Sequence, residues 1–139
     1  MNKINLCVSE ADFVSDFSNV SVSEIDTLIN GSVENINIAI LNSLDYDVST
    51  DILVKSLKKL KNKGTLTIEI LDILGVAKEA FLGSTTSKSI SNTLSNKKSF
   101  LYEHEITDVV HNFPQFKVKN KYKENNNIII VVYKELDNA

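Results

Sequence analysis

A chain of 139 residues with 42% hydrophobic and 24% charged side chains has the size and composition of one globular domain, here read as residues 1–139. That excludes a disordered or collagenous chain, and the single cysteine, Cys7, excludes an internal disulfide scaffold. The net charge is -3 and all 15 basic residues are lysine, so the planar fork with which arginine reads base edges is missing and sequence-specific nucleic-acid binding is not expected. No apolar run approaches the roughly 18 residues of a spanning helix, and Met1 to Leu6 has no apolar signal core, which predicts a cytoplasmic protein without a membrane partner.

Lys3 to Ser9 alternates, with Ile4, Leu6 and Val8 opposed to Asn5 and Cys7, the period of a half-buried strand. A polar stretch broken by Phe13, Val14 and Phe17 follows, and Val20 to Val22 reads as one short extended piece. Ser23 is placed to cap a short helix through Ile25, Leu28 and Ile29 that Gly31 ends. Ile36 to Leu41 is an apolar strand opening into the polar loop at Asn42 and Ser43. Ser49 or Thr50 then caps a helix with a stripe of Ile52, Leu53, Leu57 and Leu60, stopped by Gly64. Thr65 to Leu71 alternates again, completing a strand, helix, strand unit of the kind that makes two parallel strands.

Gly75 to Leu82 has a helical pattern, Gly83 to Asn96 is a serine- and threonine-rich loop with a short helix around Ile90 to Leu94, and Glu103 to Phe113 is a helix ended by Pro114. Phe116 to Tyr122 alternates apolar residues with lysines, Asn125 to Asn127 is a turn, and Ile128 to Tyr133 is apolar throughout. The fold class is therefore α/β, with a mainly parallel sheet and an antiparallel hairpin at the carboxyl end.

The segment Ile36 to Tyr46, the lysine-rich helix after it, and Leu60-Lys61-Asn62-Lys63-Gly64-Thr65-Leu66-Thr67-Ile68-Glu69 resemble the central part of class I S-adenosylmethionine-dependent methyltransferases. Lys63-Gly64 stands where that family has a turn of leucine, lysine, proline and two glycines, and the hairpin Phe116 to Tyr133 is similar to its reversed last strand and partner. The resemblance covers about the last 100 residues. It implies a compact Rossmann-like sheet with a shortened amino-terminal half, and S-adenosylmethionine as the cofactor. Short versions of the domain occur in phages and AT-rich bacteria, which suits the lysine and asparagine bias.

The resemblance places a cofactor at the carboxyl ends of the strands, near Ser9, Glu10, Asn42, Ser43, Asp45, Tyr46 and Asp72. Asn42 and Ser43 would border the methyl donor and Glu10 would stand near its amino acid end. Turn and cap chemistry accounts for the same residue types. The family's glycine-rich turn, which lets the backbone approach the ligand closely, is missing from Val8-Ser9-Glu10-Ala11-Asp12-Phe13. Residues 9 to 35 are also too few for the elements that the family fits there. These departures point to a domain without competent donor binding, and no catalytic residue is assigned.

His104, Asp108 and His111 share one helical face but lack a further strong ligand, so no metal site is expected. Cys7, inside a strand, reads as a small core residue and not a nucleophile. Ser84 to Ser87 lacks the glycine and lysine spacing of a phosphate loop. The lysines at 55–63 and 117–123 read as solvated faces. Four strands oppose polar or small residues to their apolar side: Asn5 and Cys7, Asn37 and Ala39, Thr65, Thr67 and Glu69, and the lysines of 117–123. One sheet face is accordingly expected to be thinly covered. Two functions follow. One is a degenerate domain acting through a protein partner or as a homo-oligomer, for instance in a phage virion or its assembly; the other is a minimal active methyltransferase on an unidentified acceptor.

Overall fold

Strict alternation of apolar and polar residues sorts side chains to opposite faces of a strand, and here it builds a sheet with two unlike faces. The computed structural model describes residues 2–135. Its strands are β1 (Lys3–Cys7), β2 (Ser18–Ser21), β3 (Val33–Ile38), β4 (Leu60–Leu71), β5 (Phe116–Glu124) and β6 (Asn127–Lys134). They form one six-stranded sheet in the order β2-β1-β3-β4-β6-β5. The first four are parallel, β6 runs antiparallel between β4 and β5, and the chain thus closes on the expected hairpin. The α-helices are α1 (Tyr46–Lys59), α2 (Ile73–Leu82), α3 (Ser87–Leu94) and α4 (Glu103–His111).

Several boundaries differ from the sequence expectation for identifiable reasons. Helix α1 begins at Tyr46, with Asp45 in the cap position, and Ser49 is inside it. The Ser49 hydroxyl donates to the carbonyl of Leu41 at 2.6 Å, so it ties the helix to the end of β3 and does not cap it. Strand β3 ends at Ile38, and Leu41–Ser43 turns as a short 3-10 helix. The helix expected after Ser23 is a 3-10 helix, Val22–Thr27, capped by Ser21. Helix α1 ends at Lys59, before Gly64. Lys61 to Gly64 bulge out of β4 where its register with β3 shifts between Val33 and Asn35. Lys63 has a φ of 66°, and a Cβ on Gly64 would stand 2.8 Å from the Lys61 carbonyl and 2.9 Å from that of Glu34, which requires glycine there.

The core lies on one face. Ile4, Ile36, Leu66 and Val132 are neighbours across β1, β3, β4 and β6, all buried, and Leu6, Ile38, Ile68 and Ile130 repeat the pattern one pleat on. Ile52, Leu53 and Leu57 of α1, Ile106 and Val110 of α4, and Ile25 join the same cluster. The opposite face shows the row Asn19, Asn5, Asn37, Thr67, Val131, Asn120. Asn37, Thr65, Thr67 and Glu69 are half-buried and Ala39 is exposed, as expected of a thinly covered face, whereas Asn5, Cys7 and Ile129 on the same face are buried. The lysines of β5 divide: Lys117 and Lys119 belong to the uncovered face, while Lys121 and Lys123 lie opposite Ile130 and Ile128 and pair with Glu103 and Asp72.

Candidate functional site

In open α/β sheets ligands bind beyond the carboxyl ends of the strands, where neighbouring strands are entered from opposite directions. Here β2 and β3 flank β1, so that point lies between the ends of β1 and β3. The expected residues are found at strand ends: Ser9 and Glu10 after β1, Asn42, Ser43 and Asp45 after β3, and Asp72 directly after β4.

They do not converge on one cavity. Asn42 and Ser43 line a shallow space of about 120 Å³ with Ala39, Glu69, Lys97 and Asn127. Asp72 lines a separate cavity of about 250 Å³ with Tyr102, Glu103, His104, Thr107 and Lys121. Ser9, Glu10 and Asp45 are exposed and line neither. Both volumes fall below the roughly 300 to 1,000 Å³ of ordinary ligand pockets.

The polar groups of the site are largely engaged with the protein itself. Asn42 is buried; its carboxamide oxygen accepts from the Leu71 N–H at 2.9 Å and its nitrogen donates to the Ser99 carbonyl at 2.9 Å. It splices β4 to the loop that precedes α4. The Asp72 carboxylate accepts from the Gly75 N–H at 3.1 Å, starting α2, and pairs with Lys123 at 3.2 Å.

After β1 the glycine-free turn is closed from within. Glu10–Asp12 form one 3-10 turn, and the Asp12 carboxylate accepts from the backbone N–H groups of Val8 at 2.9 Å and Ser9 at 3.0 Å. In nucleotide-binding folds the backbone N–H groups at this turn face the ligand. Asn5 donates to the Asp12 carbonyl at 2.8 Å and to Asn19 at 2.9 Å, and Asn19 accepts from the Val14 N–H at 2.9 Å, so residues 8–19 are fastened to the sheet. Burial, then the nearby Asp12 and Glu24 carboxylates, push the Cys7 thiol up. Sequence reasoning missed Asp12, although a serine followed three residues later by a carboxylate is a capping signal.

His104, Asp108 and His111 are exposed on α4, and no group of metal-ligating side chains occurs among the described residues. No helix among those residues is long and apolar enough to cross a membrane. At the rim between α1 and α4 the Tyr46 hydroxyl donates to Glu105 at 3.0 Å; that hydrogen bond and the carboxylate's charge raise the Tyr46 pKa.

In sequence the chain matches no protein-family model and no curated protein. Solved structures share its architecture. A SAM-dependent methyltransferase from Archaeoglobus fulgidus superimposes with a TM-score of 0.63 at 10% identity, over 94% of this chain and 75% of that one. A SAM-dependent methyltransferase from Thermotoga maritima, described as a possible histamine N-methyltransferase, gives 0.60 at 16%, over 96% and 82%. The plantazolicin methyltransferase BpumL in complex with SAH gives 0.64 at 12%, over 97% and 67%. The fold is that of class I SAM-dependent methyltransferases, with its reversed strand between β4 and β5.

Proposed function

We propose that this chain is a methyltransferase-like domain that does not hold the methyl donor and works through its surface, against a protein partner or a second copy of itself. The observation that carries this reading is the Asp12 carboxylate on the Val8 and Ser9 N–H groups, in a turn without glycine. A donor carboxylate would have to displace a covalently tethered one. Asn42 adds weight, since rotating it towards a ligand would strip partners from Leu71 and Ser99. The residues at the strand ends therefore do not fit S-adenosylmethionine, and no methyl transfer step is assigned to them.

Helix α2 supplies the contact surface. Leu74, Phe81 and Leu82 are spaced to share one side of it and are 56%, 89% and 64% exposed, an apolar stripe that water does not favour. A role in a phage virion or its assembly is one form such contacts could take, supported by the residue bias alone. The alternative, an active minimal methyltransferase, has in its favour the small cavity at Asn42 and Ser43 and the SAH bound to BpumL.

Thermal unfolding with S-adenosylmethionine and S-adenosylhomocysteine separates the two. A ligand at about 100 times its dissociation constant adds roughly 2.7 kcal/mol, a shift of several degrees in a domain of this size. An unchanged midpoint at millimolar ligand is expected; a saturable upward shift would show that the donor binds and overturn the reading.

A further inference from the structure

The thinly covered face of the sheet carries an ordered pattern that the sequence order hides. Its first row, read across β1, β3, β4, β6 and β5, is Lys3, Asn35, Thr65, Tyr133, Lys117. Lys119, at the bulge of β5, lies over the Tyr133 ring at 5.8 Å, and Lys3 lies over the Phe17 ring at 5.9 Å. The middle row ends in Thr67, Val131 and Asn120, and the third holds Glu69, Ile129 and Tyr122. Lys3, Lys117 and Lys119 have no carboxylate partner among the described residues, whereas Lys55, Lys121 and Lys123 are paired at 2.7 to 3.2 Å. Glu69 is the one carboxylate in these three rows, and it accepts from the Asn127 amide at 3.3 Å.

We propose that this face docks single-stranded nucleic acid without sequence specificity. Phosphates meet Lys3, Lys117 and Lys119 as point charges, which attract but do not read bases. Bases stack on Tyr133 and Tyr122, which stand about 13 Å apart along the strand direction, far enough for two separate bases. Thr67 and Asn120, which make no side-chain hydrogen bond among the described residues, face the base edges between them. A sheet with rings on one face is a known way of presenting aromatic platforms to unpaired bases. The net charge of -3 does not count against it, because the carboxylates lie mostly off these rows.

The test is fluorescence anisotropy of a labelled oligothymidylate at low salt, on the whole chain. The expected result is saturable binding whose log–log salt slope is about −2, from three phosphate contacts. Lys117→Ala should reduce that slope by about 0.7, and Tyr122→Ala, at an exposed edge-strand position, should weaken binding about five-fold or more. Lys58→Ala, an exposed lysine on α1, which packs against the opposite face, should leave binding unchanged. Absence of binding, indifference to both substitutions, or tighter binding to polyglutamate than to the oligonucleotide would overturn the proposal, the last pointing to an acidic protein partner. Neither the methyl donor nor Asp12 enters this measurement, so its failure is distinct from a failure of the donor reading.

Discussion

The two faces of this sheet are made by alternate residues of the same strands, and they are held together by different physics. On the covered face Ile4, Leu6, Ile36, Ile38, Leu66 and Ile68 exclude water against α1 and α4, and stability there scales with apolar area removed from solvent. On the other face the strands are stitched by side-chain hydrogen bonds: Asn37 to Asn5 at 2.8 Å, Asn5 to Asn19 at 2.9 Å and Thr65 to Asn35 at 2.6 Å. A parallel sheet is ordinarily buried on both sides. Here the connections β1 to β2 and β2 to β3 contain only 3-10 turns, so no α-helix from them can shield the second face, and cross-strand amide ladders replace it. A sheet can thus lose one helical layer if the residues beneath that layer become polar and satisfy one another.

Truncating neighbouring side chains on opposite faces separates the two kinds of stabilisation. Leu66→Ala should cost about 2 to 5 kcal/mol in urea unfolding, because it opens a cavity in a fully buried site, whereas Thr67→Ala should change stability by less than about 1 kcal/mol. Equal costs would show that the second face is also packed. Asn42→Ala should destabilise by about 2 kcal/mol, since it leaves the Leu71 N–H and the Ser99 carbonyl without their partner. Asn37→Ala, which removes one bond from the amide ladder on a half-buried surface, should cost about 1 kcal/mol.

The smallest effect concerns the rim of the covered side, where Tyr46 of α1 meets Glu105 of α4. The neutral phenol is the donor, and ionising it would place two negative charges together, so the folded pKa is raised. The stabilisation from this bond is complete below the phenol's unfolded value near 10 and is lost as pH rises through the folded value. In an ultraviolet titration Glu105→Gln should move the Tyr46 transition down towards its ordinary position.

Much of the sheet was legible because its period is local: the alternations Ile4-Asn5-Leu6 and Leu66-Thr67-Ile68 assign faces without knowledge of the neighbours. Strand β2 was marginal, because Ser18–Ser21 has little pattern of its own and is held by parallel pairing with β1. The roles of the polar residues could not be read in the same way. Asn42 is hydrogen-bonded to Ser99, 57 positions away, and Asn37 to Asn5, 32 positions away, and residue type alone names neither partner. The start of α1 was misplaced for a related reason, since the Ser49 hydroxyl serves Leu41 and not a helix cap.

The turn after β1 is closed by the chain's own Asp12 carboxylate, and the amide signals of Val8 and Ser9 report on it directly. In a nitrogen-15 labelled sample titrated with S-adenosylhomocysteine to millimolar concentration, both amides should keep their positions, and only Asp12→Ala should shift them. Saturable movement of these two signals in the unsubstituted protein would contradict the account and restore the turn as a cofactor site.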